Sequence, residues 1–239
     1  MTWPNPLRLL WGLWVWLLLL PMLLVAAVPI LLLPTLGARR AAARLVCRAY
    51  FPLCGLPVRV NGLERLPSGP CIIVANHASY VDGPLLFACL PPRFGFVIKK
   101  EAAGIPLAGL LMRRLGHHFV ARKDRHEGAG DARRILRAVG LGQAVAFFPE
   151  GTFRPETGVG RFHSGAFAAA VRTGVPLAPV AIRGTRRIMR ARTLLPRWGR
   201  IEVEALAPLP VATGAGGSAA KLRDLARERI AHAVGEPLL

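Results

Sequence analysis

Two side chains that could do proton chemistry lie five residues apart, His77 and Asp82, in the stretch Asn76-His77-Ala78-Ser79-Tyr80-Val81-Asp82. A carboxylate that accepts a hydrogen bond from one imidazole nitrogen leaves the other free to act as a base. On one continuous helix, positions five apart face different ways, so the two side chains meet only if His77 sits in a loop and Asp82 in the first turn of the helix that follows. Asp82-Gly83-Pro84 suits such a start, since proline is tolerated at the first helical position. Ser79 lies between them without a G-x-S-x-G setting, which makes it a loop or capping residue rather than a nucleophile. A second polar island, Phe148-Pro149-Glu150-Gly151-Thr152, ends an apolar run. Glu150 can accept from a polyol, Thr152 can donate to one, and Gly151 lets backbone approach a ligand closely.

The elements around these islands follow from the apolar pattern. Cys71–Ala75 reads as a buried parallel strand, and Ala144–Phe148 as another stopped by Pro149. Catalytic groups of open α/β sheets gather at the carboxyl ends of such strands. Further strands are expected at Val58–Val60, Phe94–Lys99, His118–Ala121, Leu177–Ile182 and Ile201–Ala205. Helices are expected at Gly83–Ala88, Ile105–Leu115, Asp131–Val139, Ser164–Thr173 and Ala219–Val234, with Asp131 and Ser164 as N-caps and Gly140 and Gly174 as stops. Val211–Ser218 reads as a Gly-rich linker into the last helix, whose Leu222, Leu225, Ala226, Ile230 and Ala233 form one apolar stripe. The class expected is α/β: a mixed, largely parallel sheet flanked by helices, with an N-terminal membrane-embedded helical element.

That element is residues 1–55, and 56–239 form the soluble domain. Leu9–Leu33 carries no charge, which exceeds the ~20 residues a bilayer crossing needs and the ~15 of a signal-peptide core. Pro21 and Pro29 allow either one kinked span or a re-entrant hairpin, and Trp3, Trp11, Trp14 and Trp16 cluster as interfacial aromatics do. Ala41–Leu53 is expected as a second helix lying on the membrane. Arg39, Arg40, Arg44 and Arg48 follow the run against only Arg8 before it, a bias that puts the soluble domain on the cytosolic side of the membrane. The formal charge is +19 from 32 Lys+Arg and 13 Asp+Glu. No nucleic-acid-binding motif accompanies it, so anionic lipid is the expected partner. Cys47, Cys54, Cys71 and Cys89 show no C-x-x-C pairing, and neither they nor His117, His118 and His163 suggest a metal site.

The two islands together, N-H-x-x-x-x-D and F-P-E-G-T, resemble the glycerolipid acyltransferase family, whose best-known members acylate lysophosphatidic acid. The resemblance runs from Leu56 to about Ala207. It implies a membrane-bound O-acyltransferase in which His77 takes the proton of the acceptor hydroxyl while that oxygen attacks a thioester carbonyl, with no covalent enzyme intermediate and no metal or prosthetic group. The donor would be acyl-CoA or acyl-carrier protein. The acceptor would be lysophosphatidic acid; the alternatives are another lysophospholipid, a lyso-aminolipid or glycerol 3-phosphate. Glu150, Gly151 and Thr152 would shape the acceptor site. Gly116–Arg122 resembles the family's G-x-x-F-x-x-R segment, making Arg122 the phosphate contact, with Arg161 as a second. The chain departs from the family at Phe153, where Arg is usual, and Arg154, one residue later, is the candidate for that arginine's substrate contact. Val175–Ile182 resembles the fourth motif, an apolar strand expected to line the acyl pocket. A different class, a non-catalytic basic membrane-binding scaffold, has no physical need of His77–Asp82 or of Glu150-Gly151-Thr152.

Overall fold

The structure, a computed structural model, describes residues 5–121, 125–191, 193–213 and 217–239, excluding the side chains of 125–129. Seven strands form one sheet: β1 (Val58–Asn61), β2 (Ile72–Ala75), β3 (Phe94–Lys99), β4 (His118–Val120), β5 (Ala144–Phe147), β6 (Leu177–Arg183) and β7 (Ile201–Ala205), in the order β1-β7-β6-β2-β5-β3-β4. Every pair is parallel except β6–β7, so the sheet is mixed and largely parallel as expected. β2 lies between β5 and β6 and is inaccessible along its whole length, which explains its unbroken apolar run. β7 instead alternates buried Ile201, Val203 and Ala205 with half-buried Glu202 and Glu204, the pattern of a strand with one wet face.

Helices cover both faces. On one, Ile73 and Ala75 of β2 join the cluster of Leu85 and Leu86 from α3 (Asp82–Cys89). On the other, Ile72 and Val74 meet α6 (Gly165–Thr173) through Ala166 and Phe167 and α8 (Ala219–Val234) through Ala226 and Ile230. The remaining helices of this part are α4 (Ala108–Arg114), α5 (Arg125–Gly140) and the single turn α7 (Thr185–Ile188).

In this part, three helix starts depart from the expectations in extent or in capping. α4 is shorter than Ile105–Leu115, because Pro106 and a left-handed Leu107 (φ 57°) precede it. α5 starts at Arg125, so Asp131 is an interior residue and not an N-cap; its carboxylate accepts from the Ala121 N–H (2.6 Å) and pairs with Arg134. Ser164 precedes α6 but caps it with no side-chain hydrogen bond.

The N-terminal element is a hairpin of α1 (Pro6–Leu32) and α2 (Leu36–Leu53). α1 runs through both Pro21 and Pro29, so the reversal comes after them, where Thr35 accepts from the Ala38 N–H and starts α2 five residues before the expected Ala41. The hairpin packs onto the α/β body rather than standing away from it. Ala26, Ala27 and Ile30 of α1 share a cluster with Ala43 and with Leu111 and Leu115 at α4, and Arg114 donates to the Leu31 carbonyl (2.6 Å). Towards the other end, the indoles of Trp11 and Trp14 donate to the Cys54 and Leu53 carbonyls at the end of α2, and Trp16 to Leu194. Trp11 and Trp14 therefore fasten α1 to the end of α2, and Trp16 fastens it to the body.

Candidate active site

The site forms where β2 and β5, neighbours in register, end side by side. Asn76 leaves β2 and its amide closes both a donor and an acceptor bond on Ile182 of β6 (2.9 and 2.8 Å), which fixes where the next residue emerges. That residue is His77. α3 begins at Asp82, as the spacing predicted, and His77 Nδ1 lies 2.9 Å from Asp82 Oδ2. The same oxygen accepts the N–H groups of Ala78 (2.6 Å) and Ser79 (2.8 Å). Asp82 is fully buried, so these donors are its compensation for leaving water, and they hold the carboxylate still. With Oδ2 as acceptor, Nδ1 carries the proton and Nε2 is the basic nitrogen. Among the described residues nothing pairs with Nε2, and the His77 side chain remains 18% exposed. Ser79 is fully buried and donates to the Met189 carbonyl (2.7 Å), a loop residue as its sequence setting indicated.

The second island closes over the first. The Phe148 ring stacks on His77 at 4.4 Å between centroids, and Phe153 meets the imidazole edge-on at 4.7 Å. Phe153, the position that departs from the family pattern, thus packs against the candidate base, a contact the linear sequence gave no sign of. Tyr80 abuts Phe153 in turn at 4.6 Å. Gly151 takes φ 75° where the chain turns back, its N–H donating to the Phe148 carbonyl.

Glu150 points into the protein. Its Oε1 accepts the His77 backbone N–H (2.7 Å) and its Oε2 the Gly160 N–H (2.8 Å). Burial raises its carboxyl above the ordinary glutamate value, and these two N–H donors, with His77 and Arg186, hold that rise back. A Cβ at position 160 would stand 2.7 Å from Glu150 Oε2, so only glycine allows this approach. Thr152, Arg154 and Arg161 are exposed, and Arg161 lies close enough to Asp224 to act on its charge. Arg122 lies outside the described residues.

An apolar cavity of about 410 Å³ lies on the other side of Phe148, bounded among others by Val97, Ile135, Leu136, Ala166, Ala169 and Phe148 itself. Phe148 is therefore a wall shared by the cavity and His77. Of the stretch expected to line an acyl pocket, Val175–Ile182, the strand residues Leu177–Ile182 are buried in the sheet, and none of the stretch lines this cavity. Sequence reasoning missed the cavity because its lining comes from three strands and two helices far apart in the chain. His117, near the far edge of the sheet, is no candidate base: burial, with Arg40 and His118 nearby, pushes its imidazole down to about 3. Among the described residues, no group of three His, Cys, Asp or Glu side chains is arranged to hold a metal ion.

A family model described as Acyltransferase matches residues 57–183. The chain is 37% identical over 132 residues to a chloroplastic 1-acyl-sn-glycerol-3-phosphate acyltransferase of Brassica napus, covering 54% of this chain and 38% of that one. It is also 37% identical over 135 residues to a lyso-ornithine lipid O-acyltransferase of Pseudomonas aeruginosa, covering 54% of this chain and 50% of that one. The aligned stretch is thus half or less of either relative. The crystal structure of the 1-acyl-sn-glycerophosphate (LPA) acyltransferase of Thermotoga maritima superposes with a TM-score of 0.80 at 25% identity, covering 95% of both chains.

Proposed function

The chain belongs to the acyltransferase family, and on that premise we propose that it transfers a fatty acyl group from acyl-CoA or acyl-carrier protein to the free hydroxyl of lysophosphatidic acid, giving phosphatidic acid. The observation that carries this reading is the His77–Asp82 pair, 2.9 Å apart, with the carboxylate immobilised by two further N–H donors. Nε2 of His77 takes the hydroxyl proton as the oxygen attacks the thioester carbonyl. The tetrahedral intermediate collapses to the ester, and the departing thiolate recovers the proton from the imidazolium, whose charge Asp82 stabilises. The apolar cavity behind Phe148 supports the reading, since it offers an acyl chain an apolar seat one ring away from the base.

For the membrane arrangement, α1 supports a side-on anchor. It is the one helix among the described residues long and apolar enough to cross a bilayer. Its bonds to the body run from Arg8, which donates to the Leu195 carbonyl, to Leu31, a stretch of about 35 Å at 1.5 Å per residue. A helix held along such a length cannot cross the bilayer without dragging the body in. It serves as a side-on anchor, with exposed Leu13, Leu17, Leu20 and Leu24 in the lipid and the α/β part on the cytosolic side. The basic surface meets anionic lipid there.

One relative gives a second acceptor specific support, the lyso-ornithine lipid enzyme, which is as similar as the Brassica protein. Purified protein assayed with lysophosphatidic acid, lyso-ornithine lipid and glycerol 3-phosphate, each with acyl-CoA and acyl-carrier protein, decides between them. Transfer fastest to lysophosphatidic acid is the expected result. Transfer only to lyso-ornithine lipid would move the acceptor, and transfer to none would remove the enzyme reading.

A further inference from the structure

Downstream of Gly151 the chain makes a loop, residues 152–160, whose side chains are mostly exposed but whose backbone is bound. Arg186, at the start of α7, donates to the carbonyls of Arg154 (3.0 Å), Glu156 (2.6 Å) and Gly158 (3.0 Å). The same guanidinium forms a two-pronged pair with Glu236, at 2.9 and 3.2 Å. Glu236 in turn accepts the Gly158 N–H (3.1 Å). Val159 bonds to the segment beyond α8 on both sides, its N–H to the Pro237 carbonyl (2.8 Å) and its carbonyl to the Leu239 N–H (3.1 Å). Arg227 of α8 donates to the Val159 and Gly160 carbonyls, both at 2.8 Å. The Gly160 N–H goes to Glu150, whose other oxygen holds the His77 N–H. All six backbone polar groups of residues 158–160 are thereby taken, and the last of them leads to the candidate base.

A surface loop does not need this. Loops usually leave part of their backbone to water and move accordingly, whereas here side chains from two helices and the segment 236–239 fix one. What the fixing accomplishes is set by position: Phe153 edges the His77 ring, and Arg154 and Thr152 stand exposed beside it in sequence.

We infer that Arg186 and Glu236 are positioning residues, a clasp that holds the 152–160 loop in the conformation that receives the lipid acceptor and seats Glu150 beneath His77. The inference rests on the acyl-transfer reading for its kinetic part only. The ion pair is half of it. The other half is the fork of Arg186, which reaches three carbonyls that a lysine ammonium could not serve together.

The test uses the full chain with Arg186→Ala, Arg186→Lys and Glu236→Gln, each checked for wild-type circular dichroism. Cleavage after Glu156 by a glutamate-specific protease, followed by mass spectrometry, reads whether the loop opens. It should speed up in Arg186→Ala, less in Glu236→Gln, and partly recover in Arg186→Lys. Steady-state kinetics should show the acceptor KM raised roughly tenfold in Arg186→Ala, with the donor KM held within about twofold. A purely structural role would lower Vmax through loss of folded enzyme and leave both KM values alone. That result, or cleavage at the wild-type rate in folded variants, overturns the clasp. Should Arg186→Ala fail to fold, Glu236→Gln decides by the same two readouts. If wild-type protein transfers acyl groups to no acceptor, the transfer reading fails while the cleavage result still decides whether the loop is clasped.

Discussion

Asp82 and Glu150 close the loops at the ends of two adjacent strands, and both do so by accepting backbone N–H groups, yet they reach very different distances. Asp82 gathers the His77 ring and the N–H groups of Ala78 and Ser79, all within five residues of itself. Glu150 joins His77, 73 residues upstream, to Gly160, 10 residues downstream. The first carboxylate shapes one loop and its base. The second sets that loop against another. A motif built from near neighbours survives as a fixed spacing, whereas a tie between distant segments leaves only the glutamate itself in the string.

The largest effect expected from breaking this pair of devices is on the local one. His77→Ala should lower single-turnover transfer by about 10²- to 10⁴-fold, the usual share of a general base, in protein with an unchanged circular dichroism spectrum. Asp82→Asn should also be severe, because the amide cannot stabilise an imidazolium as a carboxylate does. Folded His77→Ala enzyme keeping more than roughly a tenth of its rate would show that the imidazole is not the base.

A smaller loss should come from the long-range tie. Glu150→Ala leaves the His77 and Gly160 N–H groups without their acceptor, a destabilisation of about 1 to 3 kcal/mol for each that water cannot reach. Urea unfolding measures it. Because the base is still present and only its loop is loosened, transfer should fall by less than in His77→Ala, at most on the order of 10²-fold. Equal losses in the two variants would mean that Glu150 takes part in the chemistry directly.

The smallest effect is a pH slope. Burial raises the Glu150 carboxyl above its ordinary 4.5, so the folded chain holds that proton at pH values where the unfolded chain has released it. The stability it contributes is therefore greatest below about 4.5 and declines as pH rises through the interval above, by at most about 1.4 kcal/mol per unit. In Glu150→Gln that decline should vanish. Unfolding free energies of both proteins measured from pH 4 to 7 give the difference, and a gap that widens the other way would show that the N–H donors outweigh burial.

The sequence by itself determined the strands, the order of the islands and the His77–Asp82 pairing. Each of these rests on contacts between near neighbours: a fully buried run for β2, a five-residue spacing across a loop–helix junction for the pair. It missed Phe153 against His77, the inward turn of Glu150, the cavity behind Phe148 and the Arg186–Glu236 pair, and the strand it expected beside an acyl chain is buried in the sheet. It also placed Asp131 at a helix start because its residue type suits one, where the helix in fact begins six residues earlier, at Arg125. Only the tertiary structure decided these, for one physical reason. Packing and backbone satisfaction are indifferent to distance along the chain, so a glutamate's N–H partners, a ring's stacking face or a helix's exposed side depend on which segments the sheet order brings together. α1 shows this most plainly. Its composition said membrane, but that it lies along the body was fixed by Arg8, Trp16 and Arg114 bonding to carbonyls far away in sequence.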